Sequence, residues 1–585
     1  MESNIDIVAL LNKAYESGIS VFEEEQKLKF KVAKNKKVDP QIVDLLKSNK
    51  AEILVFLNDN IDGRIAPPTA VAAIDPKQRN LWQRLPLSFA QERLWFVDQL
   101  EGSTGYHLSS ILRLRKQLDR NLLELALRDL VERHEALRTV FQEEEGQAYQ
   151  RVQTAQNWQL DYQELSRPSV EQEQQLMKAL VFQAFDLRTD YLLRAHLIRC
   201  APEEHLLILV MHHIAADGWS ISILVNDLIE LYRARQQKVQ AALPELPIQY
   251  ADYAIWQRTQ SEELDLAKQL DWWTAQLADT ELLELPADFP RPNQGHQSGR
   301  SIGFELGQAL SDALEVLAQK EQSTLFMTLL AAWNILFYRY TGQKDICIGS
   351  PLANRDQAGT EGLIGLFLNT LTLRNHVQAE ESFVQFLNRV KANTLAAFAH
   401  QDVPFEQIVD RVAADRRQLR NPLFRVVFTF QNTPPTPNLE LGDLSISQEL
   451  LTEQVALLDI WIAISQTNEG YYVKIIYSNE LFSAERMEQM AQHFKRLLQA
   501  IVQNPEQAIG TLSLFPKRVE TQILEQFNQP LTDEPATHLV ALFDEKAQQY
   551  PEHPALLFDN RVIHYADLQQ KANALARYLL QHHEL

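Results

Sequence analysis

Residues 205–220 read HLLILVMHHIAADGWS. Positions 206–211 are continuously apolar, the pattern of a strand buried on both faces. From Ile221 the apolar residues Leu224, Val225, Leu228, Ile229 and Tyr232 recur at helical spacing. The pattern predicts a buried strand, a tight loop carrying His212, His213, Asp217 and Gly218, and then a helix. The same two periodicities alternate along the rest of the chain. A helix beginning near Asp119 is predicted to end in RHEALRTVF (133–141), and 383–399 predicts another. Residues 325–340 are apolar around the whole helical circumference and predict a buried helix, followed by a short strand at 346–350. Long helices alternating with apolar strands predict an α/β protein.

The first sixty residues predict a separate small unit. Asn4 caps a helix with Ile7, Val8, Leu11, Ala14 and Tyr15 on one face, and Gly18 stops it. Strands at 19–22 and 27–32 follow, joined by a turn through Glu23, Glu24 and Glu25. The second strand alternates strictly, with Lys27, Lys29 and Lys31 on one face and Leu28, Phe30 and Val32 on the other. Helices at 42–46 and 50–57 complete an αββαα order. Residues 61–84, with Pro67, Pro68 and Pro76 and little periodicity, predict a linker.

Length and composition narrow the possible roles. A chain of 585 residues with 45% hydrophobic content holds more than one cored domain. A net charge of −21 argues against nucleic acid as the main partner. Cys200 and Cys347 are too few for a disulfide framework or a zinc site, and no run reaches membrane-spanning length or resembles a signal peptide. The expectation is a cytoplasmic protein with neither a nucleic-acid nor a membrane partner.

The loop after the buried strand carries the candidate chemistry. Histidine exchanges protons near neutrality, and adjacent histidines in extended chain point opposite ways, so one of the pair is expected to face a cavity. A buried Asp217 requires a cationic partner. Gly218 is expected to permit a turn that other residues resist.

HHIAADG resembles the HHxxxDG motif of condensation domains in nonribosomal peptide synthetases, which share a fold with chloramphenicol acetyltransferase. Further segments are similar to motifs of that family: LSFAQERLWFVDQL (87–100), RHEALRTVF (133–141), FDLRTDYLLR (185–194), YADYAIWQ (250–257), PLANR (351–355), GLIGLFLNTLTL (362–373), HQDVPFEQI (400–408) and NPLFRVVFTF (421–430). The resemblance spans about residues 85–515. It implies a two-lobed, V-shaped pseudo-dimer with a tunnel, its N-lobe at 85–262 and its C-lobe at 263–515. The implied reaction joins an upstream acyl or peptidyl thioester to the amine of a downstream aminoacyl thioester. Both substrates would ride on the phosphopantetheine arms of donor and acceptor carrier domains, with no cofactor or metal bound by the chain itself. His213 would face the tunnel and handle the amine, while His212 would pack within its own lobe. Asp217 would pair with Arg355 across the two halves, and Gly218 would lie near the acyl group. Tyr106-His107 departs from the family's frequent Tyr-Asn.

Residues 1–60 resemble the docking domains at the N-termini of downstream synthetase subunits. The lysine-bearing strand is expected to take an acidic C-terminal peptide of the upstream subunit. Within 516–585, the segments 539–557 and 562–580 resemble the opening of an adenylation domain, and no Gly-rich phosphate loop follows them. Epimerisation domains share HHxxxDG but follow a carrier domain. Heterocyclisation domains replace the first His with Asp, and coenzyme A acyltransferases need no docking unit. A scaffold segment with an idle His213 is the non-enzymatic alternative.

Overall fold

The computed structural model describes residues 19–24, 27–32, 45–47, 50, 74–165, 168–259, 265–291, 298–413, 422–431, 440–441, 444–449, 451, 455–527, 538–558 and 561–582. The chain divides into two units, Met1–Leu514 and Phe515–Leu585.

Two six-stranded sheets organise the larger unit. The first runs, edge to edge, Glu440–Leu441, Leu444–Glu449, His107–Arg115, Glu204–His212, Leu193–Ala201 and Asp161–Glu164. The predicted apolar strand is thus an interior strand, paired antiparallel on both sides. Strand alternation divides its side chains between two cores. Leu206, Ile208 and Val210 enter one hydrophobic cluster, and Leu207, Leu209 and Met211 the other. Each of these six buried side chains contributes roughly 1.5–3 kcal/mol. Helices Arg120–Arg133 and Gly218–Gln237 cover one face through Leu123, Leu127, Leu224 and Leu228. Helices Phe89–Glu101, Val170–Val181 and Tyr250–Thr259 contribute to the cluster on the other.

The second sheet runs Gly299–Glu305, Gly470–Ser478, Ile460–Thr467, Val426–Gln431, Asp345–Leu352 and Asn369–His376. Its core is built on helix Leu325–Thr341, in which every residue from Met327 to Phe337 is buried, as its all-round apolarity predicts. Trp333 stacks on Phe494 of helix Ala484–Gln503 with ring centroids 3.8 Å apart.

Several expectations change. The division of the lobes at residue 263 does not hold for the sheets, because Leu444–Glu449 pairs with His107–Arg115 and belongs to the first. Arg113 fastens that crossing strand, donating to Glu449 at 2.6 Å, to Glu173 at 2.6 Å and to Glu204 at 3.2 Å. The helix from Arg120 ends at Arg133, so RHEALRTVF continues through a 3-10 turn, Glu135–Arg138, into strand Thr139–Glu144. The apolar run 362–373 is divided. Only from Asn369 is it a strand, while Leu363, Ile364, Leu366 and Phe367 are buried in the cores of the first lobe. Gly365 is required within that segment, since a Cβ there would lie 2.1 Å from the Tyr250 ring. Within the expected linker, Asp75 caps the 3-10 turn Pro76–Leu81, and Arg79 meets Glu135 at 2.7 Å.

In the N-terminal segment, strands Ile19–Glu24 and Lys27–Val32 pair antiparallel, so Glu23 and Glu24 belong to the strand and not to the turn, with Glu24 opposite Lys27. Leu45–Lys47 is helical. The helices expected from Asn4 and over 50–57 lie outside the described residues, Lys50 apart. The smaller unit contains helix Leu539–Gln549, a hairpin of Pro554–Phe558 with Arg561–His564, and helix Tyr565–His582. No helix among the described residues is long and apolar enough to cross a membrane.

Candidate active site

The interior strand ends at His212, and a 3-10 turn, His213–Ala215, separates it from the helix capped by Asp217. His212 continues the even-numbered face of the strand and is 0% exposed. His213 begins the turn and is only partly buried. The two histidines therefore differ in burial, His212 closing the strand within the core and His213 only partly covered in the turn.

His212 is held at both ring nitrogens. Its Nδ1 accepts from the Ile214 amide at 3.1 Å, and its Nε2 lies 2.8 Å from Ser103 Oγ, which in turn donates to Asp98. His107, opposite it on the neighbouring strand, meets it edge-on with centroids 5.7 Å apart. Phe185 completes the cluster, at 5.0 Å from the His107 ring and 5.9 Å from the His212 ring. The position that departs from Tyr-Asn thus packs against the first histidine of the motif, and its Nδ1 donates to Val181 O at 2.7 Å. Burial, reinforced by the neighbouring His107, His213 and Arg194, holds the His212 pKa well below the ordinary value of 6.5. His213 is lowered too, chiefly by burial, with the Asp217 carboxylate and backbone hydrogen bonds acting in the opposite direction. At neutral pH His213 is a neutral imidazole with one nitrogen able to accept a proton.

Asp217 is 1% exposed and its carboxylate is saturated. Oδ1 accepts from the Ser220 amide at 2.9 Å, from Ser220 Oγ at 2.7 Å and from Arg355 Nη2 at 2.9 Å. Oδ2 accepts from Arg355 at 3.1 Å and from the Phe367 amide at 3.2 Å. The Ser220 amide bond and the reciprocal bond from the Asp217 amide to Ser220 Oγ at 3.2 Å form the capping box of helix Gly218–Gln237. The Arg355 side chain, itself buried, also donates to Thr360 O and Leu363 O, both at 2.7 Å, and its guanidinium lies 4.2 Å over the Phe367 ring. Burial lowers the Arg355 pKa against the opposing pull of Asp217. The pair joins a helix of the first lobe to a loop of the second. With every acceptor position in use, Asp217 is unavailable as a base.

Gly218 corrects an expectation. It is the first helical residue, its φ lies outside the left-handed region, and a Cβ there would meet nothing within 4 Å. Neither backbone nor packing demands glycine. Its neighbour Trp219 is 45% exposed and donates from Nε1 to Glu361 O at 3.3 Å.

Five residues that sequence reasoning did not single out support this turn: Ser88, Gln91, Asp98, Ser103 and Tyr250. Ser88 and Gln91 form the capping box of helix Phe89–Glu101, and Gln91 Nε2 donates to Ile214 O at 3.2 Å. Tyr250 hydroxyl donates to Leu366 O at 2.6 Å and lies 2.8 Å from Ser88 Oγ. The Ser-x-x-Gln spacing of the first motif is a capping signal legible in sequence. The contacts of Asp98 and Ser103 leave no comparable signature. Lys27, Lys29 and Lys31 lie on a strand of the N-terminal hairpin, far along the chain from these residues. Among the described residues no group of His, Cys, Asp and Glu is arranged to hold a metal ion.

Comparison with known proteins agrees with this architecture. Residues 82–524 match the family model described as Condensation domain, and residues 7–59 match the TubC N-terminal docking domain. The chain is similar to gramicidin S synthase 2 of Brevibacillus brevis, 36% identical over 499 residues, which is 84% of this chain and 11% of that protein. It therefore spans about a tenth of that relative's length. Among solved structures it is similar to the X-domain from teicoplanin biosynthesis, with TM-score 0.68 and 28% identity over 74% of this chain and 98% of that one. The first condensation domain of the calcium-dependent antibiotic synthetase shares the fold, with TM-score 0.61 and 20% identity over 74% of this chain and 100% of that one. From residue 82 to residue 524, the chain belongs to the condensation-domain family.

Proposed function

We propose that the chain forms an amide bond between an upstream acyl or peptidyl thioester and the amine of a downstream aminoacyl thioester, both carried on phosphopantetheine arms of carrier domains. The observation that carries this reading is the contrast within one loop: His213 is partly exposed and neutral near pH 7, whereas His212 and Asp217 are buried and fully engaged. A free α-amine has a pKa of about 7.7–8.0, so a useful fraction is uncharged at neutrality and needs positioning more than activation. The amine nitrogen attacks the thioester carbonyl, and its excess proton passes to the free nitrogen of His213 as the C–N bond forms. Collapse of the tetrahedral intermediate breaks the C–S bond, and the departing sulfur takes a proton. The products are an amide on the acceptor arm and a free thiol on the donor arm. His212, Asp217 and Arg355 hold the turn and the two lobes in register.

The docking-domain match at 7–59 supports recruitment, by strand addition beside Lys27–Val32, of an upstream subunit, with Lys27, Lys29 and Lys31 selecting an acidic C-terminal tail. The Phe515–Leu585 unit is read as the start of an adenylation domain, on the resemblance of its two segments. The test is direct. Incubating the chain with a carrier loaded with a donor aminoacyl group and a second carrying an acceptor should transfer the donor, giving a dipeptidyl thioester seen by mass spectrometry. Exclusive hydrolysis of the donor, or epimerisation without transfer, would overturn the reading.

A further inference from the structure

The hydrogen bonds around His212 have a fixed direction. The Ile214 amide can only donate, so His212 Nδ1 at 3.1 Å is unprotonated. The ring proton is therefore on Nε2, and it is donated to Ser103 Oγ at 2.8 Å. The Ser103 hydroxyl proton goes on to Asp98. A backbone donor at one end and a carboxylate at the other leave a single arrangement of protons along four groups. His212 and Ser103 are buried, so water does not offer replacements.

The Ile214 peptide is also held from its other side, because its carbonyl accepts from Gln91 Nε2 at 3.2 Å. Gln91 lies in the first turn of helix Phe89–Glu101, whereas Asp98 lies in its last turn and Ser103 just beyond its C-cap, Gly102. The two ends of one helix thus fix the amide and the carbonyl of the residue after His213. The backbone of His213 has little freedom left. The turn that carries its imidazole is specified by the buried side chains of Gln91, Ser103 and His212.

We propose that Ser103 and Asp98 are positioning residues for the condensation step: through the His212 ring they hold the Ile214 amide, and so fix where His213 points. This inference rests on the reading of His213 as the group that receives the amine proton. It assigns a role to two residues outside the HHxxxDG motif, and it makes the His212 ring an intermediary with one defined tautomer.

The test uses the full chain and Ser103→Ala, Ser103→Thr and Asp98→Ala. The ring of His212 is followed by long-range proton–nitrogen correlation, with its signals assigned by their loss in His212→Gln. The parent should show Nε2–H and a bare Nδ1. Ser103→Ala and Asp98→Ala should mix the tautomers and lower the single-turnover rate of dipeptide formation on the order of ten- to a hundredfold, with the acceptor's KM unchanged within twofold. Ser103→Thr keeps the hydroxyl and should keep both the tautomer and the rate. Asp98 is only partly buried, so Asp98→Ala carries the test should Ser103→Ala fail to fold. A single Nε2–H tautomer in both alanine variants, or a rate within twofold of the parent in both, would overturn the proposal. If the parent formed no dipeptide at all, the condensation reading would have failed on its own account. The tautomer would then decide the geometry alone, mixing supporting it and persistence rejecting it.

Discussion

His212 and His213 are neighbours in sequence and opposites in environment, and the difference is set by where the strand ends. The last strand residue must follow the pleat, so His212 enters the core beside Val210, and the next residue is released into a turn. Parity alone predicts that division. It does not predict how His212 is satisfied, because Ser103 and Asp98 are more than a hundred residues away in sequence. Gly218 shows the reverse error: a glycine in a motif invites a conformational argument, and here its φ is ordinary. Burial also makes the histidines a source of pH sensitivity. His107, His134, His205, His212 and His493 all have pKa values lowered chiefly by burial. Below the unfolded value of about 6.5 the unfolded chain binds protons that the native chain refuses, so their stabilisation is complete above that pH and lost as pH falls. The urea midpoint should drop between pH 7.5 and pH 6. A midpoint that stays level or rises across that interval would count against this assignment.

At the scale of elements, the sequence resolves what periodicity encodes and misses what pairing decides. Helix Phe383–Ala399 and the buried helix from Leu325 follow directly from their apolar spacing. Strand Leu444–Glu449 is short, and nothing in its own residues records that it crosses to the sheet of the other lobe. Its place depends on a partner edge more than three hundred residues away and on Arg113. The Lys27–Val32 strand raises a different question, since among the described residues it has a strand partner on one side only. Backbone bonds to an added peptide are indifferent to its sequence, so selectivity must come from side chains. Reversing the charge of Lys27, Lys29 and Lys31 together should weaken binding of the upstream subunit's acidic tail by about tenfold to a hundredfold and abolish most of its salt dependence. Calorimetry on the full chain at low salt and at high salt reads both effects. Affinity indifferent to reversal and to salt would leave the lysines as a solvated face.

For the whole molecule, the two lobes are joined at the candidate site itself. Asp217 caps a helix of the first lobe and pairs with Arg355 of the second, while Leu363, Ile364, Leu366 and Phe367 of the second lobe are buried in the cores of the first. The HHxxxDG and PLANR segments are legible in sequence as motifs, but nothing in the apolar run that follows PLANR records that 363–367 latches into the other lobe. Removing either partner of so buried a pair strands the other, at about 3–5 kcal/mol. Asp217→Ala and Arg355→Ala should each lower the melting temperature, and the double variant should recover part of the loss. Strict additivity in the cycle would mean that the two charges do not depend on one another. The central claim is that chemistry passes through His213, which is partly exposed where His212, Asp217 and Arg355 are buried. A single-turnover assay with preloaded donor and acceptor carriers, comparing the parent with His213→Ala at neutral pH, tests it most directly. We expect the variant to keep the parent's melting temperature and to lose on the order of a hundredfold or more in the rate of dipeptidyl thioester formation; a folded His213→Ala that forms the amide at the parent's rate would contradict the account.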